Sequence, residues 1–297
     1  MTDFLSIITP SYNRAYMLDK LYNSLCVQSC KNFEWIVIDD GSTDETGEIV
    51  KNWSLNQKQF DIRYFYQKNS GKHCAINKGV EFSRGTYVII VDSDDMLVPD
   101  AVKYIYSWIG ETKNIPSLAG IAGLKGKIDG TRLGDYPQNT KYKEYITAKN
   151  TERRRKHLLG DKAEIYKTEL LKKYPFKTFE GENFLTEATV WDEIAYQGYD
   201  IRWYNKIIYL CDYLDDGLTK SGNLKELNNF NGFTYAIQQR IKCNNKLDGM
   251  IARGYYYYIA QKKEISFSHS AKLLKSNYIT MIIGIALWKV KNKIMRG

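Results

Sequence analysis

Short apolar runs alternate with helix-like segments along the first 110 residues of this 297-residue chain. In the clearest run, Tyr87–Val91, five apolar or β-branched residues follow Gly85, a pattern typical of a buried strand. Similar runs precede it at 4–9, 34–39 and 62–66. Apolar spacings of three and four predict helices at about 15–29, 45–54 and 99–109, with a further helix after a turn at 69–73.

This alternation predicts parallel βαβ units with right-handed crossovers, and therefore an α/β fold. The pattern weakens beyond Ile109. There we expect strands near 119–124, 163–166 and 207–210, a short helix ending at Lys173 and a helix at 184–196. Only helices are predicted from residue 224 onward. We therefore expect an α/β domain at 1–221 and a helical C-terminal region at 222–297.

Carboxylates follow two of the predicted strands, as Asp39-Asp40 and as three acids within Asp92–Asp95. Open α/β sheets bind ligands at the carboxyl ends of their strands. Carboxylates this crowded repel one another unless a positive charge lies among them. A hard divalent cation, completed by phosphate oxygens, meets that requirement. The alternative is an acidic turn that caps the following helix.

The composition is ordinary for a soluble globular protein, with 43% hydrophobic residues. The five cysteines are scattered and form no C-x-x-C pair, so neither a disulfide framework nor a zinc site is indicated. The first residues contain no basic segment and no long apolar run, which argues against a signal peptide. We expect a cytoplasmic protein.

Positive charge is concentrated at the C-terminal end. From Lys220 onward the chain carries 14 of its 43 basic residues and three of its 34 acidic residues, so this part has a net charge of +11 and the first 219 residues −2. The apolar run Tyr278–Trp288 among these lysines is too short to span a bilayer. It suits the surface of an anionic membrane, at the inner face of the cell membrane, or packing on the core or in a dimer. No nucleic-acid-binding motif is present, so nucleic acid is not an expected partner.

Four segments follow one another in the first 95 residues: Ile7–Arg14, Val37–Asp44, Asn69–Gly79 and Asp92–Asp95. Together they resemble the motifs of the family 2 glycosyltransferases, over residues 4 to about 221. That resemblance implies a GT-A fold, a Rossmann-like and mostly parallel central sheet flanked by helices, here with a C-terminal helical extension. It also implies inverting transfer of sugar from a nucleotide sugar.

The resemblance assigns residues to the donor. Pro10, Tyr12 and Arg14 would line the nucleotide pocket, with Tyr12 against the base and Arg14 near phosphate. Asp40 would accept a hydrogen bond from the imide N–H of uracil, whereas Asp39 would serve the turn. The other implied donor contacts are Lys72, Asp92, Ser93 and Lys220. Ordinary loop packing for Tyr12 and a solvated surface position for Lys72 are the alternatives.

Asp94 would ligate Mn²⁺ or Mg²⁺, and Asp92 would hold the ribose or a metal-bound water. The ion would offset the charge on the departing nucleoside diphosphate. Inversion also needs a base for the acceptor hydroxyl. Glu187 precedes a segment that resembles the helix after the family's base, and Glu182-Asn183 stands where Glu-Asp is usual. Glu187 and Glu182 are therefore the two candidates.

The resemblance implies transfer from a UDP-sugar to a hydroxyl of a glycan or lipid-linked glycan, in bacterial surface or capsular polysaccharide synthesis. The alternative is a non-catalytic module of the same fold that binds a nucleotide sugar or glycan. A nucleotide-binding oxidoreductase is disfavoured because no G-x-G-x-x-G follows the first strand. A P-loop phosphotransferase is disfavoured because the chain has no Walker lysine loop.

Overall fold

A computed structural model describes residues 4–137, 144–211 and 223–294. The strands within these ranges are β1 (Leu5–Ser11), β2 (Phe33–Asp39), β3 (Asp61–Tyr66), β4 (Tyr87–Ile90), β5 (Met96–Leu97), β6 (Leu118–Gly126), β7 (Tyr145–Ala148), β8 (Lys162–Lys167) and β9 (Asp200–Leu210). The helices are α1 (Ala15–Cys26), α2 (Thr46–Asn56), α3 (Lys72–Phe82), α4 (Ala101–Thr112), α5 (Thr168–Lys173), α6 (Ala188–Tyr196), α7 (Leu224–Asn228), α8 (Phe230–Cys243), α9 (Lys246–Lys262), α10 (Phe267–Leu273) and α11 (Tyr278–Ile294).

All these strands belong to one mixed sheet, with the order β3-β2-β1-β4-β8-β6-β9-β5 and β7 paired to β9. The first four strands are mutually parallel, as the sequence predicts. Ser11 lies opposite Asp39 across β1 and β2, and Ile8 lies opposite Ile90 across β1 and β4. This register places the carboxyl ends of three strands, and the acids that follow β2 and β4, along one edge.

The two faces of the sheet are buried by different helices. Alternate residues of β1 show this clearly, because Ile7 packs with α1, α2 and α4 whereas Ile8 packs with α3, α5 and α6. Both side chains are fully buried. The functional edge therefore lies at the rim of a three-layer α/β/α core.

Several predicted boundaries were wrong. β9 has eleven residues rather than four, because Arg202, Asn205 and Lys206 interrupt its apolar pattern without interrupting the strand. The short strands β5 and β7 were not predicted. α4 begins at Ala101, so Pro99 precedes that helix instead of lying in its first turn.

The helix expected at 184–196 begins only at Ala188. The preceding segment is held in a loop because the backbone N–H groups of Asn183 and Phe184 donate to Asn229 Oδ1, at 2.8 and 3.0 Å. Asn229 directly precedes α8. A contact with the C-terminal helices therefore sets the path of the loop that leads to Glu187.

The C-terminal helices have an apolar core of their own, which includes fully buried Tyr256, Ile259 and Met281. α9 and α11 cross closely, and a Cβ atom on Gly254 would lie 2.2 Å from the carbonyl oxygen of Gly284. No single helix in the described ranges has the length and hydropathy needed to cross a bilayer, although α10 and α11, bent by 102°, satisfy both criteria as a pair. The predicted helical extension is confirmed.

Candidate active site

The loop after β1 and the motif after β2 hold each other through backbone groups. Asn13 adopts a left-handed conformation with φ of 51°. Its N–H donates to Ser42 Oγ at 2.9 Å, and its Oδ1 accepts from the Thr43 N–H at 2.8 Å. The Asp44 carboxylate accepts from the N–H groups of Ala15 and Thr46, both at 3.0 Å. These bonds fix the two loops at the edge where a nucleotide is expected.

Two of the residues predicted to bind the nucleotide-sugar donor lie on this loop. Tyr12 is 48% exposed, so its ring is accessible to a ligand. Arg14 Nη1 donates to the hydroxyl of Tyr16 at 2.6 Å, and its charge acts on Asp94. Pro10 is half-buried within β1. Lys220, the other cation assigned to the diphosphate, lies outside the described residues.

Asp40 organises the segment before α3. Its Oδ1 accepts from Gln67 Nε2 at 2.7 Å and from the Ser70 N–H at 2.8 Å, and its Oδ2 accepts from the Gly71 N–H at 2.8 Å. The side chain is buried. Asp39 likewise accepts from the Ser42 N–H, as expected for a turn residue. In this structure three of the four acceptor positions of Asp40 are used by the protein, so its predicted bond to uracil has one position left.

Gly71 fixes the start of α3 against the loop that carries the candidate bases. Its φ of +92° favours glycine, and a Cβ atom there would lie 1.8 Å from the Asn183 carbonyl oxygen. No other residue type fits so close to a neighbouring backbone. Lys72, the first residue of α3, is thereby directed toward the carboxyl end of β4 and the start of α6.

The Lys72 ammonium lies between two candidate functional acids. Its Nζ is 2.6 Å from Asp92 Oδ1 and 2.8 Å from Glu187 Oε1. All three side chains are about one-third exposed, at 33%, 33% and 34%. Burial alone would lower the pKa of Lys72, but the charges of Asp92 and Glu187 raise it above its usual value. The ammonium is therefore permanently charged and links the acid after β4 to the start of α6.

The other acids after β4 are crowded. Burial and the nearby charge of Asp92 raise the pKa of Asp94, and they raise that of Asp95 to about 7. Asp95 is buried and accepts from the Tyr209 hydroxyl at 2.7 Å. Burial would also raise the pKa of Asp92, but the charges of Lys72 and Lys125 lower it. Ser93, predicted to contact the donor, is buried.

Lys125 and Tyr209 belong to this site although the sequence did not single them out. The Lys125 ammonium lies 3.9 Å from the centre of the Tyr209 ring, and the Tyr209 hydroxyl accepts from the Asp92 N–H at 3.0 Å. Lys125 is the one charged residue in the apolar strand β6, which is a usable signal. Nothing in the local pattern around Tyr209 distinguishes it from a core residue.

The residues present fit a divalent cation that is only partly ligated by protein. Within the described ranges no three His, Cys, Asp or Glu residues are grouped closely enough to hold an ion. Asp92 and Asp94 would supply two carboxylates, and diphosphate oxygens and water the remaining ligands. The raised pKa of Asp94, caused first by burial and then by Asp92, is the sign of a negative charge that a cation would stabilise.

The structure separates the two candidate bases. Both carboxylate oxygens of Glu182 accept backbone hydrogen bonds at the start of α8, from the N–H groups of Asn231 and Gly232 at 2.7 Å each. Glu187 immediately precedes α6 and contacts Lys72. The geometry therefore favours Glu187 as the reactive carboxylate and gives Glu182 a structural position.

Solved structures with this fold include nucleotide-sugar complexes. S. aureus TarS 1–349 in complex with UDP-GlcNAc superimposes with a TM-score of 0.64 and 18% identity, over 96% of this chain and 79% of TarS. The mannosyltransferase PcManGT from Pyrobaculum calidifontis, in complex with GDP-Man and Mn²⁺, gives a TM-score of 0.57 and 17% identity, over 97% of this chain and 86% of PcManGT. These likenesses confirm the predicted GT-A fold.

Sequence comparison identifies bacterial relatives. The putative teichuronic acid biosynthesis glycosyltransferase TuaG of Bacillus subtilis is 31% identical over 150 residues, which make up 50% of this chain and 58% of TuaG. Glycosyltransferase GlyA of Streptococcus pneumoniae is 40% identical over 109 residues, 37% of this chain and 15% of GlyA. The chain thus matches less than two thirds of either relative. Residues 6–174, more than half of the chain, match the model of glycosyl transferase family 2. The chain therefore belongs to glycosyl transferase family 2, as its four motifs predict.

Proposed function

We propose that this chain transfers a sugar, with inversion, from a UDP-sugar to a hydroxyl of a glycan acceptor in bacterial surface or capsular polysaccharide synthesis. The contact of Lys72 with both Asp92 and Glu187 is the observation that carries the proposal. This contact joins Asp92, an acid predicted to bind the sugar donor, to Glu187, a carboxylate suited to act as a base. The complexes of TarS with UDP-GlcNAc and of PcManGT with GDP-Man support a nucleotide-sugar donor. The relative TuaG supports a surface polysaccharide.

The donor would bind along the edge formed by the loops after β1, β2 and β4. The exposed ring of Tyr12 would stack on the base, and Arg14 would lie near the phosphates. Asp94 and Asp92 would hold Mn²⁺ or Mg²⁺, which when bound offsets the charge that develops on the leaving diphosphate. The carboxylates at this edge need such a counter-charge to accommodate two phosphates.

Glu187 would accept the proton of the acceptor hydroxyl. As the acceptor oxygen bonds to the anomeric carbon, the bond from that carbon to the diphosphate oxygen breaks on the opposite face, and the electron pair leaves with the nucleotide. Lys72 acts as a positioning residue, because its ammonium keeps the Glu187 carboxylate oriented. The ammonium thereby holds the base before α6 close to the acid after β4.

We further propose that the chain works in the cytoplasm at an anionic membrane surface, through α11. One face of this helix packs on α9 by Met281 and Gly284. On another face Ile279, Ile282 and Val290 are 70%, 60% and 58% exposed, at helical spacings. Exposed lysines, Lys275, Lys289 and Lys293, flank this apolar face. Apolar residues beside lysines match the interface of an anionic bilayer.

Replacing the base should stop turnover without affecting donor binding. Glu187→Gln should lower kcat by about 10²–10⁴-fold, the usual contribution of a general base, with an unchanged Kd for the UDP-sugar. Glu182→Gln is the matched control and should keep most of its turnover, because its role is to accept backbone hydrogen bonds. Steady-state kinetics and calorimetry measure both. Full turnover in Glu187→Gln would show that another residue acts as the base.

Removing the proposed metal ligand should abolish metal-dependent donor binding. Calorimetry across a panel of UDP- and GDP-sugars should show binding to the wild-type chain that needs Mn²⁺ or Mg²⁺ and is lost in Asp94→Ala. Asp61→Ala is the control and should bind normally, because Asp61 begins β3, at the edge of the sheet opposite the proposed donor site. Equal donor affinity with and without metal would contradict the proposed cofactor. Donor binding without release of nucleotide in any assay would favour the non-catalytic module.

The apolar face of α11 should bind anionic vesicles. We expect co-sedimentation of the chain with vesicles of phosphatidylglycerol and phosphatidylcholine, weakened by salt and lost with phosphatidylcholine alone. The double variant Ile279→Ser and Ile282→Ser should bind at least tenfold more weakly. Leu55→Ser, which changes a residue 73% exposed on α2, is the control. Vesicle binding that is equal in all variants would mean that α11 is not the contact.

A further inference from the structure

A cavity of about 730 Å³ lies between the catalytic domain and the C-terminal helices. Its walls come from the 3-10 turn Asn150–Glu152 and α6 on one side and from α7, α8 and α9 on the other. Thr186 and Ala188, the two neighbours of Glu187 in the chain, line it. The cavity therefore borders the segment that carries the proposed base, and its volume suits a short oligosaccharide.

Two buried acceptor atoms in this wall have no partner. Asn150 is 9% exposed, and its Nδ2 donates to Asp192 at 2.7 Å, which leaves Oδ1 without a hydrogen bond. Glu226 accepts from the Tyr255 hydroxyl through Oε1 at 3.0 Å, while its Oε2 is buried without a donor. A buried acceptor without a donor costs free energy. The hydroxyl groups of a sugar would supply the missing donors.

Two arginines line the same cavity, and the charge of one of them, Arg240, acts on Asp192. Within the described ranges neither Arg154 nor Arg240 forms an ion pair. Burial, and then the charges of these two arginines, lower the pKa of Lys291 on α11, so a third cation lies in their field. Three aspartates also line the cavity: Asp161, Asp192 and Asp248. Asp192 already accepts amide bonds from Asn150 and Asn244, and Asp248 accepts one from Asn245. The guanidinium groups remain available to an anion.

We propose that this cavity is the acceptor site and that it selects an acceptor glycan with an anionic group. Sugar hydroxyls would donate to Asn150 Oδ1 and Glu226 Oε2, and Arg154 and Arg240 would hold a carboxylate or phosphate one or more sugar units from the reacting hydroxyl. The anion could belong to the glycan or to a diphosphate that joins it to a lipid carrier. This inference rests on the proposed function, because it assigns the acceptor side of the same site.

Calorimetry with three probes tests the inference: trigalacturonate, farnesyl diphosphate and uncharged maltotriose, each titrated into the full chain with and without UDP and Mn²⁺. We expect an anionic probe to bind at least tenfold more tightly than maltotriose, also when UDP is present. Its Kd should rise at least tenfold in Arg154→Gln with Arg240→Gln and at least fivefold in Glu226→Gln. Arg155→Gln is the matched control, because Arg155 pairs with Glu152 and does not line the cavity.

The outcomes separate this inference from the proposed function. Arginine-dependent binding of trigalacturonate assigns the anion to the glycan, and arginine-dependent binding of farnesyl diphosphate alone assigns it to the carrier. Anion binding that survives the arginine changes but is lost in Asp94→Ala, or is displaced by UDP, would place the anion in the donor site and overturn the inference only. No binding of any probe would also overturn it, whereas failure of UDP itself to bind would count against the proposed function.

Discussion

The contact between one ammonium group and two carboxylates is the constraint on which this site depends. Lys72 lies within hydrogen-bonding distance of Asp92 and of Glu187. Without that charge, two carboxylates of like sign, each about one-third exposed, would face each other and move apart. With it, the end of β4 and the start of α6 stay at a fixed separation. The base is thereby held close to the acid on the donor side of the site.

The fold delivers Lys72 through a series of short backbone contacts. Asp40 holds the N–H groups of Ser70 and Gly71, and Gly71 lies directly against the carbonyl of Asn183. Asn183 is in turn held by Asn229 at the start of the C-terminal helices. The C-terminal helices therefore help to position the candidate base, in addition to forming the far wall of the cavity. Substitutions that shift those helices should therefore change the rate of sugar transfer.

The sequence predicts the parts of the site that depend on local pattern. The first four strands, the acids that follow β2 and β4, and the loop before α3 were placed correctly by periodicity and turn residues. The resemblance favours Glu187 over Glu182, but the contacts that separate them physically involve Asn231 and Gly232, which are some 50 residues from Glu182 in the chain. Asp40 was assigned to the nucleotide, yet three of its four acceptor positions serve Gln67 and the backbone at 70–71. Lys125 reaches the acids only because β6 joins the sheet through β8, a pairing that periodicity does not specify.

The most direct measurement of the central claim is a double-mutant cycle between Lys72 and Glu187. Lys72→Gln should lower kcat by about 10²-fold or more, because two unneutralised carboxylates then displace the base. In the double variant with Glu187→Gln that repulsion is absent, so the loss should be no greater than in Glu187→Gln alone. Losses in kcat that multiply in the double variant would show that the two residues act independently, and would contradict the account.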